Sequence, residues 1–594
     1  MRRFSPAALI LLVLFAVSPA KAAIHYTVSV EHPEQHFFHI RMTVPNAGME
    51  FTVQLPAWNA LYQIRDFAAR VQAVRATGGD GGPGADIAIH KVDKQTWKIG
   101  PRAAVAGTMS VTLDYDIYWD DPGPFNTQLN SHHAFLNPAE ILFYLPDRRS
   151  EDVSIEYTGM PRAWKTAQAL QVGPTSNIFV APSYDALADA PAELSAFSEF
   201  RFEESGAKVR VVVDSDNWHE TQLTDVLRRI VGYETQLMGG ASFAEYTFFF
   251  HFGAPSEVGG GGMEHSNCTA ISVSSDDNAG VVAAHEFFHL WNVKRIRPQT
   301  LEPLDYTREM YTRALWFAEG VTSTYGAYTL ERTGLWSHKT WYADLASQIQ
   351  ELQSAPARQW TSVEQASLDA WFEKYSLYES PDFSISYYNK GQILGVLLDL
   401  QIRSASKNHV SLDQVLRVMN EEFAKRHRFY DDSVDVEAIA EQTCNCKLGD
   451  FFTQYVAGTR EIPYGDFLAL AGLRLKTKSR TVPELGFRLA RGPGNSYVIT
   501  TLTPGSSAES AGIHAGDVLL ALNGDSIPHN LNDWIQGRAV DQMTRVRVRR
   551  DGAERDISFA LSGREALSYE IEEDSHATND QKRIREGILH GTTD

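Results

Sequence analysis

Hydrophobic and polar residues alternate with a period of two in the first quarter of the chain. The runs "HYTVSVEH", "FFHIRMTV" and "VTLDYDIYW" place apolar side chains at every second position, and Gly, Pro, Asn and Asp separate such runs. This alternation is typical of strands that bury one face of an antiparallel sheet. It predicts an N-terminal antiparallel β domain over residues 23–165.

The middle of the chain has helical periodicity instead. Apolar residues recur at steps of three and four in "ETQLTDVLRRIVGYETQLM", "GVVAAHEFFHLWNV", "TWYADLASQIQELQ" and "KGQILGVLLDLQIRSAS", a spacing that gives a helix one apolar face. An extended run, "EYTFFFHFG", precedes four consecutive glycines, and a second run, "CTAISVSS", follows them. We therefore expect a mostly α domain over residues 166–465.

Short strand-like runs return near the C-terminus. They lie between turn signals such as Pro504-Gly505 and Asn523-Gly524 and predict a small separate module over residues 470–562. Residues 563–594 are polar and weakly periodic, which favours a solvated or disordered tail. These segments together predict a multidomain α+β protein.

The N-terminus has the pattern of a secretory signal. Arg2 and Arg3 precede an apolar run at 7–17, and the small-residue sequence "AKA" follows at 20–22. The run is short for a membrane span, which disfavours an uncleaved anchor. We expect residues 1–22 to be removed from an exported protein, in a bacterium a periplasmic one, and no later stretch to span a membrane.

Charge and cysteine content narrow the possible functions. The formal net charge of -20 at pH 7 argues against general affinity for nucleic acid or anionic membranes. The three cysteines, Cys268, Cys444 and Cys446, leave at least one without an intramolecular disulfide. The last two are spaced like metal ligands, but a structural zinc site needs a second pair of ligands.

A candidate metal motif lies in "HEFFH". His285 and His289 are four residues apart, so on a helix both imidazoles can reach one ion, and Glu286 is offset enough to reach a water on it. A catalytic zinc site needs three protein ligands and one open position.

The third ligand is sought downstream. Glu319 in "WFAEG" lies on an expected second helix and would complete a His2Glu set. Glu302 and Glu309 compete, but the nearby Pro298 and Pro303 make their segment less regular and less suited to a rigid ligand.

Four separated elements resemble the glycyl aminopeptidase family, which consists of exported gluzincin zinc metallopeptidases with a PDZ domain. They are "GGMEH" at 261–265, "HEFFHLWNVKRIRP" at 285–298, "WFAEG" at 316–320 and "YYNKG" at 387–391. The resemblance implies a thermolysin-like fold for the mostly α domain. It also implies one Zn²⁺ per chain, held by His285, His289 and Glu319.

The same resemblance implies catalytic roles. Glu286 would act as general base and then as general acid. Tyr388 in "YYNKG" matches the position that supplies a phenol to the oxyanion in related aminopeptidases, and Tyr387 is its rival.

The "GGMEH" stretch resembles the substrate-binding edge strand of related enzymes, which read GxMEN there. An extended backbone can pair with a peptide as an added strand, and Glu264 can bind a free α-ammonium. His265 replaces the asparagine of those relatives but agrees with the glycyl aminopeptidase pattern. The expected substrate-binding residues are Gly261, Gly262, Met263, Glu264 and His265.

Hydrogen-bond acceptors that orient the ligating histidines are also expected. Ligating histidines usually donate the other ring N–H to an oxygen acceptor. Asn292, Thr322 and Ser323 are nearby possibilities, and the sequence does not rank them.

The C-terminal module resembles a PDZ domain in "PELGFRL" at 483–489 and in residues 499–527. Such domains hold a peptide carboxylate with loop N–H groups and add the peptide to a sheet edge. The matching loop residues are Leu485, Gly486 and Phe487. Glu484 precedes them where an uncharged residue is more usual, so a structural or substrate-guiding role stays open.

Three hypotheses of function follow. The first is a zinc aminopeptidase acting on peptides with a free N-terminus and favouring glycine or other small N-terminal residues. The second is a zinc endopeptidase of thermolysin type, which would also cleave N-acetylated peptides. The third is a non-catalytic exported scaffold that binds peptides through its PDZ domain.

Overall fold

The chain is described by a computed structural model over residues 23–59, 61–78, 84–101, 109–241, 243–373, 378, 380–492, 496–528 and 531–594. The expected signal at 1–22 lies outside these residues. Two compact units are present. The first contains residues up to 57, 66–121 and 126–196, and the second contains 58–65, 122–125 and everything from 197 onward.

The first unit is built almost entirely from strands. They are β1 (Ile24–Ser29), β2 (Phe37–Ala47), β3 (Phe51–Gln54), β4 (Val71–Gly78), β5 (Ala85–Asp86), β6 (Ile89–Lys91), β7 (Thr96–Ile99), β8 (Met109–Tyr118), β9 (Gln128–Leu129), β10 (His133–Leu136), β11 (Val153–Thr158), β12 (Lys165–Gln168), β13 (Gln171–Val172), β14 (Ile178–Ala181) and β15 (Ala192–Ser195). Two short helices, α1 (Pro138–Ile141) and α2 (Tyr184–Ala188), accompany them.

These strands form three sheets with the orders β13-β14-β11-β1-β2-β8-β4-β5, β12-β15-β10-β9 and β3-β7-β6. The pairing is antiparallel except between β1 and β11. Every second residue of β1 is buried, as the alternation predicts. The unit extends to Ala196 rather than to 165, because β14 and β15 complete sheets that earlier strands begin.

The second unit begins with a mixed sheet of five strands. They are β16 (Ser198–Glu204), β17 (Ala207–Val213), β18 (Tyr246–Phe252), β19 (Gly261–Glu264) and β20 (Cys268–Val273), in the order β16-β17-β18-β20-β19. β18 is parallel to both of its neighbours and buried at every position, so both faces of the sheet are covered. β19 forms one edge and is antiparallel to β20.

Helices make up most of the rest of this unit. They are α3 (Glu220–Leu237), α4 (Pro255–Val258), α5 (Ala279–Phe288), α6 (Thr322–Arg332), α7 (His338–Ser354), α8 (Val363–Leu368), α9 (Tyr387–Ala405), α10 (Leu412–Glu422), α11 (Asp432–Cys444), α12 (Gly449–Phe451) and α13 (Tyr464–Ala469). A π-helical segment, Trp316–Val321, leads directly into α6. Apolar residues of the helices and of the mixed sheet share one core.

The C-terminal module has a separate core, formed by residues such as Leu485, Phe487 and Ile499. Its sheet has the order of the chain: β22 (Phe487–Arg491), β23 (Tyr497–Leu502), β24 (Val518–Leu522), β25 (Met543–Arg550) and β26 (Ala553–Ala560). Helices α14 (Ser507–Ser510) and α15 (Leu531–Gln536) accompany it, and β21 (Leu473–Glu484) pairs with β27 (Ser562–Glu573) as a two-stranded ribbon. The predicted multidomain α+β class is confirmed.

The expected polar tail at 563–594 is structured. It contains most of β27 and then α16 (Asn579–His590), which buries Ile584, Ile588 and Leu589. Arg332 donates to the main-chain oxygen of Ile588 at 2.8 Å. The polar composition of the segment gave no sign of this helix, because a helix of this length needs only one narrow apolar face to pack against the rest of the protein.

The closely spaced cysteines form a disulfide and not a pair of metal ligands. Cys444 and Cys446 form a disulfide at the end of α11, and Cys268 lies buried in β20. No helix among the described residues combines the length and the apolar character needed to cross a bilayer.

Candidate active site

The two motif histidines lie one turn apart at the end of α5. His285 is within the helix, and His289 directly follows its last residue, Phe288, and keeps a helical backbone conformation with φ -57° and ψ -21°. Their rings meet edge to face at 4.6 Å between centroids. The helical conformation of His289 thus keeps both imidazoles on one face.

Glu319 reaches the same point from the π-helical segment. Its Oε2 lies 3.5 Å from Nε2 of His285 and 3.2 Å from Nε2 of His289, and the two Nε2 atoms are 3.0 Å apart. The sequence-predicted ligand atoms are therefore brought together in a compact triangle.

These separations suit a tetrahedral ion. Zinc bonds to nitrogen and oxygen of about 2.0–2.1 Å require ligand atoms about 3.3 Å apart in a regular tetrahedron. The three measured distances, 3.0 to 3.5 Å, lie around that value. The residues present therefore fit zinc.

Hydrogen bonds orient both imidazoles. Nδ1–H of His289 donates to the main-chain oxygen of Asn292 at 2.7 Å. The hydroxyl of Ser323 donates to the main-chain oxygen of Glu319 at 3.1 Å, so it accepts from Nδ1–H of His285 at 3.3 Å. Both Nε2 lone pairs then face the Glu319 carboxylate, an assignment that follows from the partners. A cation held between these electron-rich atoms would remove their repulsion.

The three residues left unranked by the sequence differ in position. Ser323 bonds to a ligating ring, and Asn292 contributes its main-chain oxygen to the other ring. The side-chain amide of Asn292 also donates to the main-chain oxygen of Phe317 at 2.8 Å. Thr322 donates to the main-chain oxygen of Asn292 or of Ala318, at 3.0 and 2.7 Å. These contacts tie the end of α5 to the π-helical segment.

The charges of the ligand residues shift one another's pKa values. Burial alone would raise the pKa of Glu319, but the neighbouring histidines lower it below its ordinary value. Burial would lower the pKa of His289, but Glu319, Glu264 and Glu286 raise it to about 10. A cation bound by these residues would replace the proton that the carboxylates otherwise hold on His289.

Glu286 points into the same space. Its side chain is buried, and Oε2 has no hydrogen-bond partner among the described residues. Burial raises its pKa well above the ordinary value, and the charges of Glu264 and Glu319 raise it further. A buried carboxyl group with a free oxygen can accept and return a proton.

Strand β19 contacts the side chain of Glu286 at Gly262. A Cβ added to Gly262 would lie 2.4 Å from Oε1 of Glu286. The carboxylate of Glu264, two residues further on, lies in a cluster with those of Glu286 and the His289 ring. Met263 faces the core, and the buried His265 closes the turn by donating its N–H to the main-chain oxygen of Cys268 at 2.9 Å.

The two tyrosines at the start of α9 have different surroundings. Tyr388 is 38 % exposed and its ring centroid lies 6.1 Å from that of His285. Tyr387 is 2 % exposed and its hydroxyl hydrogen-bonds to Glu373. Tyr388 is therefore accessible to a substrate beside the ligand set, whereas Tyr387 packs in the interior.

A contact between glycines brings α9 to the ligand set. A Cβ on Gly320 would lie 2.4 Å from Cα of Gly391, and one on Gly391 would lie 2.4 Å from the main-chain oxygen of Trp316. The backbones of "WFAEG" and "YYNKG" thus touch directly. This packing holds the Tyr388 end of α9 beside Glu319.

Glu302 and Glu309, the alternative third ligands considered from the sequence, lie outside the ligand triangle. Glu302 pairs with Arg297 at 2.5 Å, and Glu309 is exposed. Neither belongs to a metal-binding cluster of the described residues.

Sequence reasoning missed Tyr62. It lies in the segment 58–65, and its ring packs at 5.9 Å from Trp371 and 6.4 Å from Trp58. Leu61 and Tyr62 both have left-handed backbones, with φ of 61° and 47°, a strained conformation often found at functional sites. Burial raises the pKa of Tyr62, as do the nearby charges of Glu319 and Glu264. No local pattern marks this tyrosine, because the contacts are tertiary.

The loop Leu485, Gly486 and Phe487 of the C-terminal module lies at the start of its edge strand. Leu485 and Phe487 are buried in its core, and the loop leads into β22 at the edge of the sheet. Glu484 pairs with Arg564 at 3.9 Å, which partly neutralises the acid that precedes the loop. The roles of all these site residues stay predictions.

Family models match three parts of the chain. A model described as M61 glycyl aminopeptidase matches residues 279–394, one described as Peptidase M61 N-terminal domain matches 25–196, and one described as PDZ domain matches 474–548.

The fold is also similar to that of a solved structure. An aminopeptidase N family protein from Idiomarina loihiensis aligns with a TM-score of 0.81 and 22 % identity over 95 % of this chain and 100 % of that one. An M1 zinc metallopeptidase from Deinococcus radiodurans aligns with a TM-score of 0.41 and 16 % identity over 71 % of this chain and 92 % of that one.

One curated relative shares a short segment. A probable periplasmic serine endoprotease DegP-like of Marinomonas sp. is 39 % identical over 72 residues. The match spans 12 % of this chain and 15 % of the relative.

Proposed function

Because the chain belongs to the M61 glycyl aminopeptidase family, we propose that it is an exported zinc aminopeptidase that releases glycine or another small N-terminal residue from peptides. One zinc ion per chain would be held by His285, His289 and Glu319. The observation that carries this proposal is the triangle of ligand atoms, 3.0 to 3.5 Å apart.

Zinc in a site with one open position polarises a carbonyl and activates water. Glu286 is the general base: its unpartnered Oε2 takes a proton from the attacking water and later delivers it to the leaving amine. Burial supports this role, because a carboxyl group shielded from bulk water keeps the proton for the reaction.

Tyr388 donates its phenolic hydrogen to the oxyanion that develops on the scissile carbonyl. Its exposure beside the His285 ring supports this role over Tyr387, whose hydroxyl already bonds to Glu373.

Glu264 binds the free α-ammonium of the substrate. Its position in a carboxylate cluster beside Glu286 supports this role, because concentrated negative charge there attracts a cation. An acetylated N-terminus lacks that charge, so the enzyme is an exopeptidase.

The preference for a small first residue rests on Tyr62. Its ring packs against Trp58 and Trp371, and burial together with the nearby charges of Glu319 and Glu264 raises the pKa of its phenol. A bulky side chain at the N-terminal position would have to displace this supported ring.

The remaining parts of the chain serve export and peptide handling. Residues 1–22 direct export and are removed. The module over 470–562 is a PDZ domain whose loop Leu485, Gly486 and Phe487 offers a peptide site. The thermolysin-like domain is the catalytic part.

The decisive experiment compares glycyl-leucyl-glycine with its N-acetylated form, with and without a chelator. We expect chelator-sensitive release of glycine from the free peptide alone. Equal cleavage of the acetylated form would instead indicate an endopeptidase.

Variants separate the remaining alternatives. Glu286→Gln should fold, retain zinc and lose activity, whereas Glu264→Gln should retain zinc and lower kcat/KM for the free peptide. Folded, zinc-loaded wild type that hydrolyses no peptide of a diverse library would favour a binding scaffold.

A further inference from the structure

Phe125 lies against the glycine-rich edge strand. It belongs to the segment 122–125, which is part of the second compact unit although the surrounding sequence is not. Its ring carbons Cε2 and Cζ lie 3.3 and 3.5 Å from where a Cβ on Gly261 would stand. The ring is only partly buried, so one side of it remains available for contact.

Two contacts hold the backbone of this segment in place. The guanidinium of Arg65 donates a hydrogen bond to the main-chain oxygen of Phe125. The backbone of Gly123 lies directly against Gly259. Phe125 is therefore fixed relative to β19 rather than carried on a free loop.

Phe125 and Glu286 lie on opposite faces of β19. Side chains alternate along a strand, so Gly262 and Glu264 share one face while Gly261 and Met263 share the other. A Cβ on Gly262 would meet Glu286, whereas one on Gly261 would meet Phe125. Phe125 thus flanks the face of β19 opposite Glu286.

The direction of a bound peptide rests on the proposed function. If Glu264 holds the α-ammonium, the first residue lies at that end of β19 and the scissile bond lies beside Gly262 and Glu286. The residue after the scissile bond then lies opposite Gly261. Directly opposed residues of paired strands project to the same face, so the side chain of that second residue faces Phe125.

We propose that Phe125 is a specificity-determining residue that forms an apolar wall for the side chain of the substrate's second residue. The preferred substrates are peptides with an N-terminal glycine followed by leucine, phenylalanine or another large apolar residue. Contact with an aromatic ring favours such side chains by about tenfold over glycine.

The test measures kcat and KM for glycyl-glycine amide, glycyl-leucine amide and glycyl-phenylalanine amide. Wild type is compared with Phe125→Ala, with Phe125→Leu and with the control Phe429→Ala, which truncates an exposed phenylalanine. We expect Phe125→Ala to lower kcat/KM about tenfold for the leucine and phenylalanine substrates, mainly through KM. Activity on glycyl-glycine amide should change less than about twofold, and Phe125→Leu should restore most of the preference.

An equal loss on all three substrates would mean that Phe125 only supports β19, and unchanged kinetics would mean that it makes no contact. Either result overturns the proposal. Failure of the proposed function has a different signature, because wild type itself would then cleave acetylated peptides as fast as free ones. In that case the assumed peptide direction, and the inference with it, is wrong.

Discussion

The carboxylate of Glu286 lies directly over the α-carbon of Gly262, so that a Cβ on this glycine would stand 2.4 Å from Oε1 and 2.5 Å from Cδ. The proposed general base and the proposed substrate strand thus share one space. A side chain at residue 262 cannot coexist with the present position of Glu286.

Gly262→Ala should therefore displace Glu286 and lower kcat about 10- to 100-fold, because small misplacements of catalytic groups have effects of this size. Zinc content should remain that of wild type. Gly260→Ala is the matched control, since a Cβ there meets nothing within 4 Å. Steady-state kinetics and metal analysis check both variants, and a Gly262→Ala enzyme with wild-type kcat would contradict this account.

Gly391→Ala should separate α9 from the π-helical segment. The added methyl would overlap the main-chain oxygen of Trp316 at 2.4 Å, and overpacking of this kind lowers the free energy of unfolding by about 1–3 kcal/mol. Because Tyr388 lies on the same helix, kcat should fall as well. Urea denaturation and steady-state kinetics measure the two effects.

Gly465→Ala is the control for that variant. Gly465 lies in α13, where an added Cβ meets nothing within 4 Å. Alanine in a helix is favoured over glycine by about 0.8–1.0 kcal/mol, so this variant should be slightly more stable than wild type. If both variants lost stability alike, the contact between Gly320 and Gly391 would not be the cause.

The metal ligands can be tested by matched glutamate substitutions. Glu319→Ala should lose most of its zinc and its activity, because two imidazoles alone bind the ion weakly. Glu309→Ala, at an exposed position, should retain both. Metal analysis after dialysis would refute the ligand set if Glu319→Ala kept one zinc per chain.

The buried Lys390 should make the free energy of unfolding depend on pH. It is 3 % exposed, and burial lowers its pKa from 10.5 to about 8, against the favourable charge of Glu461. Between these values the unfolded chain binds the extra proton, so the free energy of unfolding should rise as the pH increases from about 8 to 10.5.

Lys390→Met should remove that rise. It should also stabilise the zinc-loaded protein at pH 7 by up to about 3 kcal/mol, because no buried ammonium remains. The exposed Lys339→Met serves as control. Urea unfolding at pH 7 to 10 gives the slope, and an unchanged slope in Lys390→Met would assign it to another group.

Local patterns determined a large part of the fold. Period-two alternation marked β1, β2 and β8, and steps of three and four marked α3, α5, α7 and α9, because both patterns report which face of a single element is buried. The same reasoning failed for 563–594, where a polar composition concealed the three apolar residues that dock α16.

In the candidate site, too, local spacing could be predicted from the sequence, whereas contacts between separate segments could not. The spacing of His285 and His289 sufficed to place both rings on one helical face, since residues four apart are neighbours whatever surrounds the helix. The meeting with Glu319 could be proposed only as a completion of the donor set, because that residue arrives from a separate segment.

The sequence by itself determined the residue types and the local spacing of the proposed zinc chemistry, together with the order of the domains. Tertiary structure alone decided that Tyr388 is accessible while Tyr387 is buried, that Gly262 leaves room for Glu286, and that Tyr62 and Phe125 border the site from distant segments. The reason is physical: periodicity describes neighbours within a few residues, whereas close approach between remote segments depends on how the whole core packs.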